Sequence, residues 1–164
     1  MFRAATEADL PALRDLERDA NLAALGHVFP PERYPFPDDD VLARWALVLE
    51  DPDACVLVLD ADQTGGDKGL LVYTAYDTTT LRHLAVRPDH WGNGLATTAV
   101  ETAMNAMDLR GTTVASLWCL EDNHRARRLY EYLGWRPTRD RQDAPWPPHP
   151  VEMRYTRLLV QSER

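Results

Sequence analysis

The sequence predicts an α/β fold of one domain, a mixed and mostly antiparallel sheet with helices packed on it. Three observations carry this. Strand-like and helix-like patterns alternate along the chain, as layered α/β folds require. A strand–glycine turn–helix unit spans residues 81–104, LRHLAVRPDHWGNGLATTAVETAM, and a strand–Asn–helix–Gly unit spans 115–135, ASLWCLEDNHRARRLYEYLGW. No repeat, low-complexity tract or linker divides the 164 residues, so residues 1–164 are expected to form a single domain with one continuous core.

The elements follow in order. Residues 2–5 fit a short edge strand. Thr6 is placed to cap a helix over 7–25, whose Leu10, Leu13, Leu16, Ala20 and Ala24 share an inner face. GHVFPPERYPFPDD is too rich in proline to continue it. A second helix is expected over 38–50, opened by Asp38, Asp39 and Asp40. CVLVLDADQTGGDKGLLVYTAY reads as two strands around a Gly-Gly hairpin loop, and a third follows before the glycine turn. Asn123 is a strong N-cap for the last helix, with Ala126, Leu129, Tyr130 and Leu133 on one face and Gly134 as its stop. A closing hairpin ends in PVEMRYTRLL.

Composition narrows the function classes. Apolar content of 45% and charged content of 27% suit a soluble globular chain, and no apolar run reaches the ~20 residues that cross a bilayer. MFRAATEADL lacks the basic, apolar and small segments of a secretion signal, so a cytoplasmic location is expected. Eighteen basic against 26 acidic residues give a net charge of −8, which disfavours nucleic acid as a partner. Cys55 and Cys119 sit in strand-like runs without CxxC spacing and read as reduced core thiols. The five histidines show no HExxH or His–Cys spacing, and no metal is expected.

The glycine turn is the most chemical feature. A helix start leaves about four amide donors unpaired and carries about half a positive charge. Gly92 and Gly94 remove the Cβ atoms that would hold an anion away, so the corner suits a phosphate or diphosphate. Arg82, Arg87, His90 and Asn93 flank it. No Lys-Ser or Lys-Thr follows, which excludes a Walker loop. Thr97 stands where a dinucleotide-binding fingerprint needs its third glycine. A purely structural strand–helix corner is the remaining alternative.

The two units together, in this order and spacing, resemble the GNAT superfamily of N-acetyltransferases. Trp91-Gly92-Asn93-Gly94-Leu95-Ala96 is similar to its acetyl-CoA motif [QR]xxGx[GA], with Trp91 replacing Arg or Gln as in the WGxGxA variant of some bacterial subfamilies. Asn123, Ala126, Leu129, Tyr130, Leu133 and Gly134 match its NxxAxxLYxxLGF element, with Trp135 for the Phe. The resemblance implies central parallel strands that splay apart. It further implies acetyl-CoA as cosubstrate, held by Leu84, Ala85 and Val86 along the pantetheine and by Gly92, Asn93, Gly94, Leu95, Ala96 and Thr97 at the diphosphate. Asn123 would touch the pantetheine, and Tyr130 would be the general acid. A phenol of reference pKa near 10 is protonated at neutral pH and can donate to a thiolate.

The general base is open. Family members often place Glu at positions that are Thr80 and Trp118 here, and neither accepts a proton usefully. His83, Glu121, Asp122 and His149 are the candidates, with His83 and Glu121 ranked first; a base acting through water, or an acceptor that arrives neutral, also fits. The acceptor is expected to be a primary amine with an apolar body. Phe29, Tyr34, Phe36, Trp118 and Trp146 would line its pocket and Asp38, Asp39 and Asp40 its rim. A non-catalytic acyl-CoA-binding module, acetylation of protein amino groups and a cofactor-free interaction domain are the alternatives. A homodimer is a modest expectation without a sequence signature.

Overall fold

The computed structural model describes residues 1–159. The strand β1 (Arg3–Ala4) leads through a 3-10 turn (Glu7–Asp9) into α1 (Leu10–Leu25). The expected helix from residue 7 thus begins as α-helix three residues later. The Asp9 carboxylate accepts from the Thr6 N–H at 2.8 Å and from both terminal nitrogens of Arg3, fixing a tight turn before Pro11 enters the first α-turn. Arg3 also grips Asp60, which joins β1 and β2 to the base of α1, and it holds the Asp9 carboxyl below the usual carboxylate range.

Then come α2 (Asp38–Glu50), β2 (Cys55–Asp60), β3 (Leu70–Tyr76), β4 (Leu81–Val86), α3 (Leu95–Leu109), β5 (Val114–Leu120), α4 (His124–Tyr132), β6 (Arg136–Asp143) and β7 (Val151–Leu158). The strands form two antiparallel sheets, β1-β2-β3-β4 and β5-β7-β6. They meet at one parallel bridge, Thr80 to Ser116, reinforced by the Ser116 N–H donating to the Thr79 carbonyl at 2.9 Å. Past that bridge β4 and β5 diverge. The anticipated mixed sheet is therefore two antiparallel halves hinged at the foot of a V, the splay that the resemblance implied.

β3 runs buried on both faces, because α1 and α2 cover one side of its sheet and α3 the other. Leu13, Leu16, Val41 and Trp45 pack with Val56 and Val58 on the first side. Val100, Met104 and Met107 of α3 join Leu117, Trp135 and Tyr155 in a second core that ties the two sheets together. Arg and Asp residues on β6 leave it exposed along most of its length, a charged edge that discourages pairing with another chain. Cys55 and Cys119 are both free thiols.

Candidate active site

The opening of the V begins at β4. One edge of Leu84–Val86 is paired to β3, in the register Thr74–Leu84, Tyr73–Ala85 and Val72–Val86. The other edge faces the gap. After a 3-10 turn (Pro88–His90) the chain reaches Gly92 (φ 85°) and Gly94 (φ 78°), which caps α3 in the left-handed region. An added Cβ would meet nothing within 4 Å at either glycine, so backbone conformation and not crowding selects them. The first turn of α3 carries no acidic residue, leaving its unpaired amides with their positive field.

A groove of about 390 Å³ runs past these residues, between the β4 edge, the α3 start, α1 and α4. Leu84, Ala85, Val86, Gly92, Gly94, Leu95, Ala96, Thr97 and Asn123 all line it. Asn93 does not; its side-chain amide turns back to donate to the His90 carbonyl at 3.3 Å. The Asn123 side chain accepts from the Ala126 N–H at 3.2 Å, the N-cap expected of it. Trp91 covers the corner, its indole N–H donating to the Val86 carbonyl at 2.8 Å.

The groove runs into a junction cavity of about 230 Å³, with Tyr73, Leu84, Asn123 and Ala126 common to both. Tyr130 lines this junction. Its side chain is buried against Trp135 and Tyr155, and its hydroxyl makes no hydrogen bond among the described residues. Burial, then the neighbouring Cys119 sulfur, raises its pKa well above that of a free phenol, so it keeps its proton. Burial likewise pushes the Cys119 thiol up to about 12, which leaves it unreactive. The junction opens in turn into an outer cavity of about 480 Å³, where Phe29, Tyr34, Phe36 and Trp146 form an aromatic lining and Asp40 stands at the rim. Glu17, Asn21, Phe29 and Trp146 face both chambers.

A sequence profile of the Acetyltransferase (GNAT) family matches residues 10–135, more than half of the chain. The chain belongs to that family. No curated protein matches it in sequence. Among solved structures, this acetyltransferase is similar to the PaiA N-acetyltransferase of Thermoplasma acidophilum in complex with coenzyme A (14% identity, 96% of this chain and 98% of that one, TM-score 0.71). It is also similar to the Escherichia coli ribosomal-protein-S18-alanine N-acetyltransferase (19% identity, 100% and 96%, TM-score 0.71). The Vibrio cholerae spermidine N-acetyltransferase with CoA and spermine gives 18% identity, 98% and 96% coverage and a TM-score of 0.69. At these identities the likeness is one of fold.

Both leading base candidates of the acetyltransferase lose ground in three dimensions. Glu121 is exposed, ion-paired to Arg141 at 3.2 Å, and lines none of the three connected cavities. It lies just past the end of β5, where Arg141 holds its carboxylate at the surface. His83 does line the junction, with its ring against Trp45 at 4.9 Å between centroids. Burial first, then the charges of Arg44 and Arg82, pull its pKa down to about 3, too low for efficient proton removal near neutrality. His149 lies outside the cavities, its Nδ1 at 3.0 Å from the Ala144 carbonyl oxygen. Trp118 is exposed and reaches the junction from β5.

One carboxylate that faces both the junction and the outer chamber was not expected. Glu17, on the inner side of α1, is 7% exposed, ion-paired to Arg44 of α2, and accepts from the Tyr73 hydroxyl at 3.4 Å. Its spacing from Leu13 and Leu16 puts it on the buried face, which is the one signal the sequence offered.

The depressed His83 pKa has a checkable consequence. Between pH ~6.5 and ~3 the unfolded chain binds a proton at this ring that the folded chain refuses, so the fold loses stability as pH falls through that window. His83→Gln should remove this loss. Urea melts at pH 7 and pH 4 should show the variant losing about 1–3 kcal/mol less than the parent on acidification.

Proposed function

We propose that this acetyltransferase moves the acetyl group of acetyl-CoA to the primary amine of a small molecule, by direct attack, with Tyr130 as general acid. One observation carries the reading. Tyr130 presents a protonated, unpartnered hydroxyl at the junction between a groove suited to an extended phosphate-bearing arm and an aromatic chamber suited to the acceptor. The open edge of Leu84–Val86 offers main-chain groups to a pantetheine lying as a surrogate strand. The α3 start offers its amides to a diphosphate. Attack by the amine nitrogen on the thioester carbon breaks the C–S bond, the departing sulfur takes the Tyr130 proton, and the proton shed by the acylated nitrogen returns to the phenolate through water.

The acceptor enters through the aromatic chamber, where Phe29, Tyr34, Phe36 and Trp146 cover an apolar body. Glu17, whose Oε1 accepts from Arg44 and Tyr73, turns its other carboxylate oxygen to the ammonium, and the ammonium proton leaves through water in the junction. Thiol release measured across a panel of small amines tests the proposal; transfer to protein amino termini and to none of those amines would refute the small-molecule acceptor. With a responsive amine in hand, Glu17→Gln is expected to raise the acceptor KM about tenfold while leaving the acetyl-CoA KM within about twofold. Steady-state kinetics varying each substrate in turn would measure both.

A further inference from the structure

Of the basic residues near the glycine turn, those close in sequence are already spent. Arg82 pairs with Asp51 at 3.0 Å, away from the groove. Arg87 is held by Asp67 at 2.5 Å and by Asp89 at 2.8 Å. His90 does line the groove, but its Nδ1 is bonded to the same Asp89 carboxylate at 2.8 Å. The local charge at the corner is therefore close to balanced before any ligand arrives.

Arg125 is different. It lies one residue into α4, more than thirty positions downstream, and its guanidinium carbon stands 4.1 Å from the centroid of the Trp91 ring. Both residues line the groove beside Gly92 and Gly94. Among the described residues Arg125 has no ion pair and no hydrogen bond, so all five N–H donors are free. The indole beneath it is fixed in turn by its bond to the Val86 carbonyl. A flexible cation is thus held over a fixed aromatic ring in the groove that the start of α3 also lines, at little further entropic cost on binding.

We propose that Arg125, seated on Trp91, is the side chain that neutralises the diphosphate of coenzyme A in this protein. The inference rests on the groove being the coenzyme A site. It assigns to Arg125 a task for which Arg87 and His90 lack free charge, and it explains why an uncharged Trp is compatible with an anion corner: the ring carries the cation instead of being one. A planar guanidinium in the same groove as the helix start can present two parallel N–H groups to phosphate oxygens while backbone amides take the others.

Titration calorimetry with CoA decides it. Arg125→Ala should weaken CoA about tenfold, Arg125→Glu about 10²-fold, and Arg125→Lys by less than Ala. Dephospho-CoA, which keeps the diphosphate and lacks the 3′-phosphate, should show the same ratio between parent and Ala variant. The dependence of affinity on salt should also be shallower for the Ala variant. Arg125 is exposed, and unchanged thermal melts would establish that each variant is folded. Parental CoA affinity in Arg125→Ala overturns the assignment, and so does a loss confined to CoA and missing with dephospho-CoA, which would move the contact to the 3′-phosphate. A parent protein that binds no CoA would instead overturn the reading of the groove, and this inference with it.

Discussion

Tyr130→Phe is expected to lower kcat by about 10²-fold or more while CoA affinity stays within about twofold. The substitution removes one hydroxyl and keeps the ring. That ring packs edge-on to Trp135 at 6.0 Å and tilted against Tyr155 at 6.3 Å, contacts which phenylalanine reproduces. The lost hydroxyl makes no hydrogen bond among the described residues, so stability should change little and activity should carry the whole effect. Because the phenol pKa is raised by burial, the wild-type proton is present at every practical pH, and the rate should show no basic limb from this group below pH 10. Stopped assays of thiol release, with CoA binding by calorimetry, give both numbers. Full activity in the Phe variant would remove Tyr130 from the mechanism.

Gly94→Val should separate the site from its scaffold. At φ 78° a β-branched residue is strained, costing about 1–2 kcal/mol, although its Cβ meets no atom within 4 Å. Its methyl groups would stand over the first amides of α3, where the diphosphate is proposed to lie, and CoA affinity should fall about 10²-fold. Gly111→Val is the control. Gly111 has φ 88°, equally open surroundings, and sits past the opposite end of α3. It should show a similar drop in melting temperature with CoA binding intact. Equal CoA affinities for the two variants would mean that strain alone, and not a phosphate corner, explains the glycine at 94.

What the sequence made legible was local. The glycine turn, the Asn123 cap and the inward face of α4 are set by residues within about ten positions of one another, so their patterns survive in one dimension. The four-strand and three-strand division was less visible, because the single bridge between Thr80 and Ser116 depends on how α3 crosses back. The partnerships of charged groups were not legible at all. Glu17 meets Arg44 and Tyr73 only through the packing of α1 on α2 and β3, and Arg125 meets Trp91 only because α4 closes over the glycine turn. Conversely, Arg87 and His90 flank the corner in sequence but are already bonded to Asp67 and Asp89. His83 looked well tuned for proton transfer until its neighbours Arg44, Arg82 and Trp45 were in place.

The diverging strands have one more implication. A row of unpaired main-chain groups ordinarily invites a foreign strand and seeds aggregation. Here that row lies inside a slot, with Ala20 and Ala24 of one helix and Asn123 and Ala126 of another as its walls. The helices that flank the groove thereby shelter the open edge of β4 from pairing with another chain.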